Sequence, residues 1–325
     1  MKDIGLVGVP FSGKSTLFTA LTRAGSHGGR ANQAVVPVPD PRLAVLTEME
    51  RSRKTVAAQV RFVDVPGGTS SAQGVAALRE ADALCVVVRY FGPDATPAAE
   101  LADVTADLLL ADIAVVHSAL EKATKRSRGR PSDETGALEA AHDALSAETL
   151  LRDAGLDEES RMHLRAIAPL TLKPWVVVAN LEEGARIPPD LPKGAVGVYA
   201  SIEAETAEMP QDEARALLEE FDVAEPGLEK VIHASYRALD LITFLTTTED
   251  ETRAWEVRSG ATAPEAAGAI HTDLQRGFVR AEVVSYDDLV AAGGWNAAKA
   301  RGLLRVEGKD YVVREGDVLH VRFAV

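Results

Sequence analysis

Gly8, Gly13, Lys14 and Ser15, in the run GVPFSGKST, fit G-x-x-x-x-G-K-[ST], a spacing that cradles phosphate. Glycine lets backbone N–H groups turn toward an anion with no Cβ in the way. A helix starting here adds unpaired donors and the positive end of its dipole. Lys14 then reaches the outer phosphates and is the candidate catalytic residue, while the Ser15 hydroxyl ligates Mg²⁺. Phe11, Ser12 and Thr16 complete the loop. Further on, Asp64-Val65-Pro66-Gly67 fits D-x-x-G, the second phosphate element of such proteins. Asp64 holds Mg²⁺, usually through water, and the Gly67 N–H meets the γ-phosphate. Alone, D-x-x-G is a common turn; about 50 residues after Lys14, at the end of an apolar strand, it gains weight.

These residues need a parallel sheet to hold them. Ile4 to Val7 reads as a short buried strand before the loop, and Thr16 to Leu21 continues as a helix. Gln59 to Val65 is strand-like and ends in the Asp64 tetrapeptide. Ala83 to Tyr90 and Trp175 to Ala179 are continuous apolar runs suited to central parallel strands, and Val196 to Tyr199 is a last strand. Leu101, Val104, Leu108, Ala111 and Val115 repeat at helical spacing, as do Leu138, Ala141 and Leu145, which predicts an inserted helical hairpin. Gln211 to Phe221 and Leu228 to Leu239 read as amphipathic helices. After residue 241 come strand-like runs (Ile242–Thr247, Arg253–Val257, Val279–Val284, Lys309–Val313, Val318–Phe323) and one helix, Ala263–Leu274. Together these make a small α+β domain of about 80 residues. The expected organisation is a nucleotide domain over 1–92 and 171–240, an inserted hairpin over 93–170 and a C-terminal domain over 241–325.

The whole chain has 325 residues, 46% hydrophobic and 26% charged, the composition of a soluble globular protein. A net charge of -14 argues against broad binding to nucleic acid or membrane. One basic run stands out against it. Lys122, Lys125, Arg126, Arg128 and Arg130 sit in KATKRSRGRP, with no acid among them, at the break between the two long helices. Such a tip is either an RNA contact or a solvated loop. The single Cys85 lies in an apolar strand and reads as a buried thiol. None of the seven histidines has metal-ligand spacing. No apolar run reaches the roughly 18 residues of a transmembrane helix. The N-terminus leads straight into a strand, so the expected location is the cytoplasm; a monomer is expected.

The runs GVPFSGKSTLFTALTRAG, VPVPDPRL from Val36 and FVDVPG from Phe62 resemble the Obg-like ATPase family, called YchF in bacteria. So does RAWEVRSGATAPEAAGAIHTDLQRGFVRAEVVSYDDL, followed by EGKDYVVREGDVLHVRFAV, which looks like that family's TGS domain, a β-grasp module. The resemblance implies a P-loop NTPase sheet with an inserted coiled coil and a C-terminal TGS domain. It also implies ATP preferred over GTP, slow hydrolysis with Mg²⁺, and a ribosomal or ribosomal-RNA partner reached through the basic tip and the TGS domain. GTPases read guanine with N-K-x-D; here the tetrapeptide is Asn180-Leu181-Glu182-Glu183. Without the Lys over the base and the Asp acceptor, guanine discrimination should weaken. Asn180, Leu181 and Glu183 are expected to border the base, as are Ala200 and Ser201.

Three departures from the family concern switching and hydrolysis. Phe11 stands where relatives carry a cation-ligating Asn. The loop between Ala24 and Val35 is short, and Ser26 is the only hydroxyl between Arg23 and Leu46. The segment after Gly67, GTSSAQGVAALREAD, lacks the longer loop with the family's proposed catalytic His, and Gly68 replaces the water-orienting Gln of Ras-like enzymes. Ser70, Ser71 and Gln73 are the available substitutes. Three functions remain open: a weak ATPase that regulates a partner, a nucleotide-holding scaffold, and a GTP switch.

Overall fold

Four strands that end at the expected site residues lie in one sheet with the strand Ala83–Tyr90, and the apolar runs at its centre are buried on both faces. The computed structural model describes residues 1–24, 26–27, 32–65, 67–206, 209–220 and 226–324. Residues 25 and 28–31 of the short loop after Ala24, Pro66 and Phe221 lie outside the described residues. In order come β1 (Lys2–Val7), α1 (Lys14–Ala24), β2 (Ser26–His27), β3 (Gln33–Pro37), α2 (Arg42–Glu50), β4 (Lys54–Val56) and β5 (Gln59–Asp64). Then come α3 (Ala72–Glu80), β6 (Ala83–Tyr90), α4 (Pro97–Arg126), α5 (Asp133–Ser146), α6 (Glu158–Leu164), β7 (Trp175–Leu181), β8 (Val196–Val198), α7 (Ala200–Thr206), α8 (Gln211–Glu220) and α9 (Gly227–Ala238). The chain finishes with β9 (Leu241–Thr247), β10 (Glu251–Arg258), α10 (Ala263–Ile270), α11 (Thr272–Arg276), β11 (Phe278–Ser285), α12 (Tyr286–Ala292), α13 (Trp295–Ala300), β12 (Arg305–Glu307) and β13 (Asp317–Phe323).

The residues fall into two compact units. One comprises Lys2–Val36 and Arg61–Ser235. Its sheet runs β2-β3-β5-β1-β6-β7-β8. Pairing is parallel from β1 through β6 and β7 to β8, with Ile4 opposite Ala83 and Cys85 opposite Val176. Ile4, Leu6, Val7 and the run Ala83–Val88 are fully buried, as central parallel strands require. Burial also pushes the Cys85 thiol up to about 12. On one face Val7, Val65, Leu78 and Val86 pack with Val104 and Leu108 of α4. Beyond them α4 shares a second cluster with α5, through Leu109, Val116, Ala123, Leu138, Ala141 and Leu145. Val116, rather than Val115, carries the apolar stripe of α4 onward.

Asp112 is buried within that helix and fully satisfied. It takes hydrogen bonds from Arg79 NH1 (2.8 Å), Leu170 N (3.0 Å), Thr171 N (2.7 Å) and Thr171 Oγ1 (2.8 Å), which fastens α3 and the Leu170 turn to α4.

The second unit holds Met1, Pro37–Val60 and the chain from Tyr236 on. This division differs from a cut at residue 240: the segment around VPVPDPRL groups with the C-terminal part. The reason is pairing. β4 joins β10 in parallel, and α2 packs on β9 and β10. The sheet order is β12-β11-β13-β9-β10-β4, with β9 antiparallel to β10 and parallel to β13. Its core gathers Phe244, Phe278, Ala281, Val283 and Leu319 around Ala263, Ala266 and Ala267 of α10. α10 begins at a capping box, Thr262 with Glu265, and Pro264 fits its first turn. Two expectations differ from the structure. The helix from Ala263 breaks at His271, which is extended and caps α11. The strand lies at Arg305–Glu307, while Val312 makes only an isolated bridge to Thr262.

Candidate functional site

β1, β5, β6, β7 and β8 deliver their carboxyl ends to one edge of the first sheet, the position where open α/β sheets bind ligands. Gly8 leaves β1 with no room for a side chain, because a Cβ there would collide with Val87 O and Ser12 Oγ. Gly13 has φ +84, and a Cβ on it would overlap Asn180 Nδ2. Both glycines are therefore demanded by the backbone as well as by the motif. α1 starts directly at Lys14, with Leu17 N donating to Gly13 O at 2.9 Å. Ser15 is exposed and Thr16 half-buried on its first turn.

Lys14 Nζ donates to Val65 O at 3.3 Å and lies 3.3 Å from Asp64 Oδ1. The second distance is an ion pair without a hydrogen bond's direction, so among the described residues the buried Asp64 Oδ1 has no donor. Ser12 Oγ, equally buried, has no hydrogen-bond partner among them either. Gly67 has φ +76 and opens a short 3₁₀ turn over Gly68–Ser70. The hydroxyls after it are largely engaged. Thr69 Oγ1 donates to Asp107 Oδ2 at 2.6 Å, and Ser71 Oγ caps α3 by accepting from Gly74 N at 3.0 Å. Ser70 and Gln73 remain exposed. Phe11 sits in the left-handed region (φ +67) and is 89% exposed, beside the cradle.

The base side is assembled around Asn180 at the end of β7. Its Nδ2 donates to Ser12 O at 3.3 Å, and its Oδ1 accepts from Ala200 N at 3.4 Å. One carboxamide thus ties the phosphate loop to the turn after β8. Leu181 is buried with Val88, Ala179 and Leu191, so its side chain packs into the sheet's core. Glu183 and Ser201 are exposed and Ala200 is buried. Two residues here escape a motif-based reading. Tyr199 OH donates to Ala185 O at 2.7 Å, and Glu203, 2% exposed, accepts from Tyr199 N and Leu228 N. Glu203 had one signal in the sequence, an acid between Ile202 and Ala204 just after Ala200-Ser201.

The five basic residues of the run are all exposed. α4 extends through Lys122, Lys125 and Arg126, and Arg128 and Gly129 turn the chain with positive φ. The fold adds acids that the run itself lacks: Arg126 pairs with Glu134 at 2.7 Å and Lys125 with Glu121 at 3.9 Å. Among the described residues Lys122, Arg128 and Arg130 have no acidic partner. No helix among the described residues is long and apolar enough to cross a membrane.

A family model described as "50S ribosome-binding GTPase" matches residues 3–119. A second, named for the C-terminal part of YchF GTPases and described as "Protein of unknown function (DUF933)", matches residues 241–324. The ribosome-binding ATPase YchF of Haemophilus influenzae is 38% identical over 358 residues, covering 99% of each chain. That of Bacillus subtilis is 37% identical over 361 residues, with the same coverage. Both alignments are longer than this chain, so the relatives carry stretches that it lacks. The solved structure of the Schizosaccharomyces pombe YchF GTPase superposes with a TM-score of 0.89 at 27% identity, covering 99% of this chain and 97% of that one. With its α/β P-loop sheet, its second mixed sheet and this likeness along its whole length, the chain belongs to the YchF family.

Proposed function

We propose that this chain binds a purine nucleoside triphosphate with Mg²⁺, prefers ATP to GTP, hydrolyses it slowly and uses its nucleotide state on a ribosomal partner. One observation carries the nucleotide reading. Lys14 lies against Asp64 at the glycine-built loop, and among the described residues the buried Asp64 Oδ1 has no donor. Burying an unmet carboxylate oxygen is costly, and a cation with its water shell relieves it. The residues therefore fit Mg²⁺: the Ser15 hydroxyl would hold it directly and Asp64 through water. When bound, it would neutralise charge on the phosphates. Gly8, Phe11, Ser12, Gly13, Thr16 and Gly67 would surround the phosphates. Asn180, Glu183, Ala200 and Ser201 would border the base, with Leu181 presenting only its backbone.

Slow turnover follows from the segment after Gly67. Transfer to water needs a group that orients the attacking water. Thr69 and Ser71 are held by Asp107 and Gly74, which leaves exposed Ser70 and Gln73. The partner reading rests on the relatives, which are named ribosome-binding ATPases. It also rests on Lys122, Arg128 and Arg130, which have no acidic partner among the described residues near the α4–α5 turn. In this reading 93–170 is an inserted hairpin, 241–325 a TGS-type β-grasp, and the site of action the cytoplasm.

Thermal shifts at saturating MgATP and MgGTP test the base preference, since a saturating ligand adds a few kcal/mol of stability, about 3 at a hundredfold excess over Kd. ATP should give the larger shift. Single-turnover hydrolysis, with Lys14→Ala as control, tests the chemistry. A rate above about 1 s⁻¹, ordinary for enzymes, contradicts slow turnover.

A further inference from the structure

Tyr199 and Glu203 lie behind the two turns that would border a base. The Tyr199 hydroxyl reaches Ala185 O at 2.7 Å, which joins the turn after β8 to the turn after β7. The Tyr199 N–H donates to Glu203 Oε1 at 3.3 Å, and the next N–H, of Ala200, donates to Asn180 Oδ1 at 3.4 Å. Glu203 Oε2 takes Leu228 N at 2.8 Å, at the start of α9. Gly227 is fitted against this carboxylate: a Cβ there would stand 2.6 Å from Glu203 Oε1 and 2.8 Å from Gly197 O. Burial pushes the Glu203 carboxyl up, opposed by the N–H groups of Leu228, Gly227 and Tyr199 and by the charge of Lys230. Burying so polar a group at a helix start is justified where it fixes several backbone donors at once.

We infer that Tyr199 and Glu203 are positioning residues for the purine, holding the turns at 182–185 and 199–201 as one rigid rim. Base affinity and base choice then depend on them through backbone groups that they place. The phosphate loop hangs on Gly8, Gly13 and the helix start at Lys14, and meets this rim at Asn180. This inference rests on the nucleotide reading above.

The test splits the ligand. Kd values of the full-length chain for MgATP, MgGTP and magnesium tripolyphosphate are measured by calorimetry for wild type, Tyr199→Phe and Glu203→Gln. Tripolyphosphate has phosphates and no base. Tyr199→Phe, which removes one hydrogen bond and keeps the ring, should weaken MgATP about 5- to 10-fold. It should change tripolyphosphate less than about twofold and draw the ATP-to-GTP ratio toward one. Glu203→Gln, which keeps the shape but loses one acceptor, should act in the same direction. Equal losses for ATP and tripolyphosphate would mean a purely structural role and overturn the inference, as would unchanged ATP binding in Tyr199→Phe. Wild type that binds neither compound sinks the nucleotide reading and this inference with it. Wild type that binds tripolyphosphate as tightly as ATP sinks the inference alone.

Discussion

The phosphate side and the base side of the candidate site are built on opposite plans. On the phosphate side polar atoms are held but not satisfied: among the described residues Asp64 Oδ1 and Ser12 Oγ lack hydrogen-bond partners, and Lys14 rests on a carbonyl and a carboxylate at 3.3 Å. On the base side Asn180, Tyr199 and Glu203 each have partners within the chain. The first plan suits affinity for a charged ligand, because binding relieves costs already present. The second suits discrimination, because a rim completed before the ligand arrives cannot reshape itself around the wrong base. Asn180 and Gly13 are where the two sides meet.

Breaking that junction should have the largest effect. Gly13→Ala forces a side chain to φ +84 and into Asn180 Nδ2, with an expected loss of about 3 kcal/mol in urea unfolding and of nucleotide binding on both sides. Lys14→Ala removes charge from the phosphate side alone, so MgATP and magnesium tripolyphosphate should weaken together, by about 100-fold, with no loss of stability. Asn180→Ala leaves Ser12 O and the Ala200 N–H without their partner, for about 2 kcal/mol of stability. Cys85 reports the opening of the sheet: with its pKa pushed up to about 12 it should resist thiol reagents in the native chain. Its labelling should accelerate in Gly13→Ala and Asn180→Ala and stay unchanged in Lys14→Ala.

The phosphate side was legible in the sequence because its chemistry is local. Gly8 to Ser15 form one loop, and Asp64 ends a strand whose apolar run announces itself. The helical spacing of Leu138, Ala141 and Leu145 was equally plain, and all three are buried. The base side was legible only where a motif marks it. Leu181 looked like a base-lining residue from its place after Asn180, yet strand geometry turns its side chain into the sheet's core. Tyr199 and Glu203 act across 14 and 25 residues of chain, a distance no local pattern records. The grouping of Pro37–Val60 with the C-terminal sheet was hidden for the same reason, since the parallel pairing of β4 with β10 joins segments some 200 residues apart. α12 was missed despite clear stops, Ser285 as N-cap and Gly293 in the left-handed C-cap, because seven residues are too few for a periodicity to show.

The smallest effect separates the two sides by pH. Glu203 has its folded pKa raised by burial above the ordinary 4.5. Above pH 4.5 the unfolded chain has released this proton while the folded chain keeps it, so stability falls as pH rises through the folded pKa and is level beyond it. The tether runs the other way. Only the ionised carboxylate has both oxygens free to accept from Tyr199 N and Leu228 N, so the rim tightens over the same window. As pH rises above 4.5 and through the folded pKa, urea stability should therefore decline slightly while the ratio of MgATP to tripolyphosphate affinity rises; the ratio cancels the titration of the phosphates themselves. Glu203→Gln should flatten both trends. A ratio that falls with stability in the wild type would mean that Glu203 holds the fold and not the rim.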